Sequence, residues 1–175
     1  MEDYLMTTLL SKNMYNLIVT AYRGESNFLL KQLNLKGVFK NTSFRDVLFG
    51  QVDDVEQFLT DISAEPPLSL ARVMPVIKVV EFNDPEALLE TLKKWVITNA
   101  CFKKTESFKV TVERRGLKGE LNSQVWAREL GGLIEGSVDL ENPDFELVFS
   151  IMNGTCGISL LSKSLKEEHY LVRAK

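Results

Sequence analysis

Histidine is almost missing from this chain. Of 175 residues only His169 carries an imidazole, which removes histidine-rich zinc sites and leaves a serine–histidine–aspartate triad with little to build on. Cysteine is nearly as scarce: Cys101 and Cys156 stand too far apart and too few to form a disulfide framework, so both are expected as buried thiols in a reducing cytoplasm. No run of about 18 apolar residues occurs, so no membrane span is expected. The opening residues, Met1-Glu2-Asp3-Tyr4, are acidic where a secretory signal is basic, and a cytoplasmic location follows as the expectation. Internal repeats and low-complexity tracts are absent too. What remains is ordinary globular composition, with 45% hydrophobic and 26% charged residues. At this length one domain, or two small ones sharing an interface, can bury about 70% of its unfolded surface without metal or disulfide support.

The net charge of −3 argues against a nucleic-acid partner only until its distribution is considered. Residues 1–92 hold 8 basic and 13 acidic side chains, residues 93–128 hold 9 and 3, and residues 129–175 hold 4 and 8. A basic segment therefore lies between two acidic ones, which suits either a local electrostatic site or a solvated lysine-rich surface.

Residues 16–23 are β-branched and aromatic up to Gly24 and read as a buried strand. A short helix follows, with Ser26 as its cap, and Phe39 falls on a short edge strand. Residues 44–52 read as another strand. Asp53 is placed to cap a helix in which Val55, Phe58, Leu59 and Ile62 keep helical spacing until Pro66 and Pro67 break it. Residues 72–82 look like one strand, in which Pro75 suits an edge position or a bulge. This order predicts a small ferredoxin-like domain over residues 1–82. A second unit, residues 83–175, opens with Pro85 in the first turn of a helix whose stripe is Leu88, Leu92, Trp95 and Val96, with Glu90 and Lys94 as a surface pair. Phe108 to Glu113 alternates as a half-buried strand with Lys109 and Thr111 on one face. A helix over 123–134 places Trp126, Leu130, Leu133 and Ile134 inward, and strands at Phe145–Ile151 and Gly157–Leu161 close an α+β, mixed α/β layer.

Few residues offer chemistry. Gly154-Thr155-Cys156-Gly157 lacks the lysine and spacing of a phosphate loop and reads as a hairpin turn. No spacing joins either cysteine to His169, and the acidic pairs Asp53-Asp54 and Glu167-Glu168 read as caps or solvated faces. Neither a metal nor a cofactor is expected. The stretch Arg114-Arg115-Gly116-Leu117-Lys118 differs: two guanidinium forks and an ammonium share a glycine-bearing loop that suits phosphate. Arg128 stands one turn into the next helix, and Lys103, Lys104 and Lys109 add charge nearby. A surface salt bridge of Arg114 with the neighbours of Glu113 or with Glu120 is the competing reading. Gly131-Gly132 inside a helix costs roughly 1 kcal/mol each relative to alanine, which points to close approach of the sheet or of a ligand.

Three runs carry a resemblance: Phe108 to Gly116, Ala127-Arg128-Glu129-Leu130-Gly131-Gly132-Leu133-Ile134, and Val138-Asp139-Leu140-Glu141-Asn142-Pro143-Asp144. Together they resemble the THUMP domain, a tRNA-binding module, and Arg72-Val73-Met74-Pro75 is similar to the segment preceding it in stand-alone THUMP proteins that act with tRNA cytidine acetyltransferases. The resemblance implies a ferredoxin-like domain followed by a THUMP domain. It also implies a non-catalytic adaptor that binds tRNA at its acceptor end and assists formation of N4-acetylcytidine. By the same resemblance Arg114, Arg115 and Lys118 match its basic loop and Arg128 a basic helix position, while Lys103, Lys104 and Lys109 are electrostatic additions. An RNA-binding subunit of another tRNA-modifying enzyme, an enzyme with a pocket between the units, and a protein-binding scaffold remain as alternatives.

Overall fold

Asn16 begins the ordered pairing, and the β-branched run after it forms β1 (Leu17–Ala21) at the centre of a four-stranded sheet. The structure is a computed structural model that describes residues 14–100, 102–152 and 154–175. Among these the chain continues as α1 (Ser26–Leu33), β2 (Val38–Asn41), β3 (Val47–Gln51), α2 (Val55–Ala64) and β4 (Leu70–Pro75). The sheet order is β2-β3-β1-β4 and every pairing is antiparallel, the ferredoxin-like arrangement of a split βαβ unit. The helical spacing in α2 holds: Phe58, Leu59 and Ile62 are buried against the sheet with Leu29 and Leu33 of α1. The cap of α2 is Asp54 rather than Asp53, its carboxylate accepting from the Gln57 amide at 3.0 Å. Residues 42–46 do not join β3, because Thr42 turns the chain with side-chain hydrogen bonds and Asp46 takes a left-handed φ of 60°.

The expected strand over 72–82 is two strands in two sheets. Pro75 ends β4; the Val76 amide still donates to Asn16 of the first sheet, and the next amide, Ile77, donates to Ile158 of the second. β5 (Lys78–Glu81) thus belongs with the second sheet, although residues up to 82 were assigned to the first unit on sequence. That unit continues with α3 (Pro85–Asn99), β6 (Ser107–Arg114), α4 (Ser123–Gly131), β7 (Ser137–Val138), β8 (Phe145–Met152), β9 (Thr155–Ser162) and α5 (Lys163–Glu168). Its order is β5-β9-β8-β6-β7, with β6 parallel to both neighbours and the rest antiparallel. The turn expected at residues 154–157 is narrower, since Met152 already pairs with Thr155 across the β8–β9 hairpin. Cys156 is a fully buried free thiol whose pKa burial pushes up, whereas Cys101 lies outside the described residues. Helix α4 ends at Gly131, three residues early, so Leu133 is exposed instead of inward. Lys93 rather than Lys94 pairs with Glu90, at 2.9 Å, because it also reaches Glu129 of α4 at 3.1 Å.

One face of the second sheet packs under α3 and α4 through Phe108, Leu147, Phe149, Ile151 and Ile158. The other face turns to the first unit: Val148, Met152 and Leu161 are part of the first unit's core, and the Tyr15 hydroxyl lies 3.4 Å from Thr155 Oγ1. The two units share a core. A tail completes the join, with the Val73 amide donating to the Leu171 carbonyl at 2.9 Å and Val172 forming a parallel bridge to Val73. His169 is buried there, its Nδ1 2.9 Å from Ser63 Oγ of α2.

The first sheet also contains a glycine that geometry requires. Phe39 lies across from Gly50, and a Cβ built on Gly50 would sit 2.3 Å from Phe39 Cε1. Gly50→Ala is therefore expected to lower stability by about 1–3 kcal/mol through overpacking, readable as a lower urea midpoint at unchanged slope.

Candidate nucleic-acid interface

Alternation along β6 decides what this site contains. Phe108, Val110 and Val112 point to the α4 side, as does Arg114; Lys109, Thr111, Glu113 and Arg115 turn toward the opposite face. The seven cations picked from sequence do not form one ridge. Lys109 stands 4.0 Å from the buried Glu146, which also accepts from Thr111 at 2.6 Å and from Lys166 at 3.3 Å. Arg115 is mostly buried, 4.0 Å from Glu113; burial, and after it the nearby Arg72 guanidinium, pulls its pKa down, while Glu113 raises it. Lys103 is exposed and lies 4.0 Å from Glu106, and Lys104 is exposed beside it.

Arg114, Lys118 and Arg128 remain exposed, without a carboxylate in ion-pair range among the described residues. The competing pair of Arg114 with Glu120 is not formed; Arg114 Nη1 instead donates to the Gly116 carbonyl at 3.3 Å. The loop that presents these groups is conformationally unusual. Gly116 and Gly119 have φ of 76° and 89°, and Leu117 between them is held at 52°, a strained value for a side-chain-bearing residue. The loop runs into the first turn of α4, where Asn122 caps the helix by accepting from the Gln124 and Val125 amides.

Two hollows meet at this turn. One, of about 540 Å³, lies between Arg114, the 119–121 loop and Asn122. The other, of about 720 Å³, is an apolar cleft between α4 and the β6–β7 edge, floored by Phe108, Val110 and Ala127. Gln124 borders both, so Arg114 in the first and Arg128 in the second flank one continuous surface. Gly131 and Gly132 line the cleft; a Cβ on Gly131 would meet Val110 Cγ2 at 3.6 Å, an ordinary contact, so helix–sheet packing does not demand glycine there. The outer wall is Val138 and Leu140, 61% and 66% exposed.

That wall explains the Val138–Asp144 run. The Asp139 carboxylate accepts from the Glu141 and Asn142 amides, the Asn142 bond being the main reason its pKa is lowered, and so folds the turn after Leu140. Asp144 accepts from the Ser107 amide at 2.7 Å and from the Ser107 hydroxyl at 3.0 Å, the amide bond first lowering its pKa, and so clamps the start of β6. Both aspartates build the cleft rather than face into it. Gln124 and Asn122 were missed on sequence. The cap preference of asparagine before Ser123 was the available signal for Asn122; nothing marked Gln124.

Three comparisons set this arrangement among known proteins. No curated protein sequence matches the chain. By structure it is similar to PH1313 of Pyrococcus horikoshii (TM-score 0.60, 17% identity), covering 85% of this chain and 54% of that one. It is also similar to TrmN of Thermus thermophilus (TM-score 0.63, 14% identity, 82% and 44% covered). A 4-thiouridine synthetase solved as an RNA complex with bound ATP has TM-score 0.56 and 18% identity, with 85% and 41% covered. At these identities the likeness is one of fold, and the chain spans about half or less of each of these proteins. The family model of the THUMP domain matches residues 83–161, a stretch running from just before α3 to the end of β9, and this part of the chain is a THUMP domain.

Proposed function

We propose that the chain is a non-catalytic tRNA-binding adaptor that presents tRNA to a tRNA cytidine acetyltransferase for N4-acetylcytidine formation. The observation that carries it is the THUMP domain with Arg128 exposed on the cleft under α4, Arg114 exposed on the adjoining hollow and Lys118 exposed on the loop between β6 and α4. An apolar cleft beside a guanidinium and an amide suits an unpaired nucleotide, the base lying against Val110, Ala127 and the exposed Val138 and Leu140 while Arg128 meets its phosphate. The hollow at Arg114 lies next along the same surface and extends the phosphate track. The solved relative bound to RNA supports a nucleic-acid role for this fold, and the similarity of Arg72-Val73-Met74-Pro75 to acetyltransferase-associated proteins supports the partner.

Reconstitution tests this. Purified chain, tRNA, acetyl-CoA and the acetyltransferase are expected to give N4-acetylcytidine, with little product when the chain is omitted and none from the chain alone. Product from the chain alone would make it an enzyme. Tight tRNA binding without any gain in acetylation would favour service to a different tRNA-modifying enzyme.

A further inference from the structure

Leu117 keeps its left-handed φ between Gly116 and Gly119, in the bend that joins Arg114 to α4. A side-chain-bearing residue stays in that region only where its surroundings dictate it. On the α4 side the loop is fixed by Leu121, which is buried in the core, and by the Asn122 cap. On the β6 side the register with β8 ends at Arg114 and Ile151, and the Arg115 amide donates once more to Ile151 at 2.8 Å. A side chain from the other unit adds the remaining hold. Arg72 of β4 grips Glu113 with both arms of its guanidinium, at 3.1 and 3.4 Å. The Lys175 amide donates to the same carboxylate, and the Arg173 carbonyl accepts from Arg72 at 3.5 Å. Glu113 is thus tied to β4 and to the tail, and the next residue along the backbone is Arg114. Adjacent residues leave a strand on opposite faces, so a fixed Glu113 sets the roll of the strand end and with it the direction of Arg114. Arg114 in turn donates to the Gly116 carbonyl, so the same anchor reaches the bend that carries Lys118.

We infer that Arg72 is a positioning residue for the RNA site: by holding Glu113 it aims Arg114 and Lys118, and it touches no RNA itself. Resting on the RNA-binding reading above, this role accounts for the Arg72-Val73-Met74-Pro75 segment, which the cleft leaves unexplained. Arg72 is almost fully buried and both of its arms are committed to Glu113, so a phosphate cannot reach it. Aim and charge make opposite predictions. Replacing Arg72 by methionine and Glu113 by leucine removes one positive and one negative group, so the net charge stays the same. The exchange also releases Arg115 from the carboxylate 4.0 Å away. By charge alone such a chain binds RNA as tightly as the parent or more tightly. With the anchor gone and Arg114 free to swing, it binds less tightly.

The test titrates the full chain with a tRNA transcript and measures the urea midpoint alongside. Arg72→Met with Glu113→Leu is expected to melt near the parent and yet bind tRNA roughly tenfold more weakly at low salt. Its log–log salt slope should fall by between about one and two as the Arg114 and Lys118 contacts are lost. Arg114→Ala separates aim from general loosening. It should cost about fivefold in the parent and less than about twofold in the double variant, whereas Arg128→Ala on α4 should cost the same in both. Should the double variant melt early, Arg72→Lys, which keeps a charge on Glu113 without the fork, carries the same cycle. Parental affinity and slope in the folded variant, or losses that add to those of Arg114→Ala, would refute the positioning role and leave the RNA reading standing. An Arg128→Ala effect that vanished as well would make Arg72 a general structural tie and overturn the inference. No tRNA binding by the unaltered chain would remove both.

Discussion

Arg72→Ala is expected to cost about 3–5 kcal/mol, a large fraction of the stability of a domain this size, because it takes from the buried Glu113 carboxylate its bidentate partner between the two sheets. Arg72 reaches from β4 to grip that carboxylate twice, Nη1 to Oε1 at 3.1 Å and Nη2 to Oε2 at 3.4 Å. The side chains are 11% and 6% exposed, so water cannot replace the lost partner. Glu113 has further claims on it, from the Lys175 amide and from Arg115, and these soften the loss without matching a bidentate guanidinium. The pair need not add net stability, since desolvating both ions offsets their attraction. The informative comparison is Arg72→Met combined with Glu113→Leu, which removes both charges and keeps apolar volume. That double variant should melt in urea within about 1 kcal/mol of the parent while Arg72→Ala melts far earlier. If the single and double variants lost the same stability, packing rather than the carboxylate left without its guanidinium would be the cause.

Removing Arg114, Lys118 and Arg128 together is expected to weaken tRNA binding roughly a hundredfold at low salt, at about 1 kcal/mol for each charge-assisted contact. The log–log salt slope should fall by between two and three in the same titration. None of the three is buried or ion-paired among the described residues, so the folded state should survive with little change in its melting midpoint. Arg115→Ala serves as the contrast. Its guanidinium is largely buried beside Glu113 and Arg72, so its removal should act on stability as well as on affinity. A triple variant that bound tRNA with parental affinity and slope would move the interface away from α4.

Local patterning explains why much of the fold was legible. The spacing of Val55, Phe58, Leu59 and Ile62 specifies a helix with one apolar face, and the order of such elements already implied the ferredoxin-like sheet. Illegible were the places where a decision belongs to partners far along the chain. Nothing local says that Val76 donates to Asn16 while Ile77 donates to Ile158, so one apolar stretch read as one strand. The site was half legible for a related reason. Basic charge between residues 93 and 128 marks the region, but charge counts carry no direction. The direction was in fact available: adjacent residues leaving a strand face opposite ways, so Arg114 and Arg115 cannot both serve one surface. The partners that occupy Arg115 and Lys109 were not available, because Glu113 earns its role from Arg72, 41 positions earlier, and Glu146 from a neighbouring strand. The apolar cleft was missed because its walls are ordinary hydrophobic residues until the Asp139 turn lifts Val138 and Leu140 into solvent.

The bridge between Val73 and Val172 carries a consequence for how the chain matures on the ribosome. The outer edge of β4 is left open until a segment about a hundred positions later has left the exit tunnel, so the first half waits with unpaired amides and carbonyls. Nascent chains halted before residue 171 should therefore be the species most prone to wrong strand pairing and most in need of a chaperone.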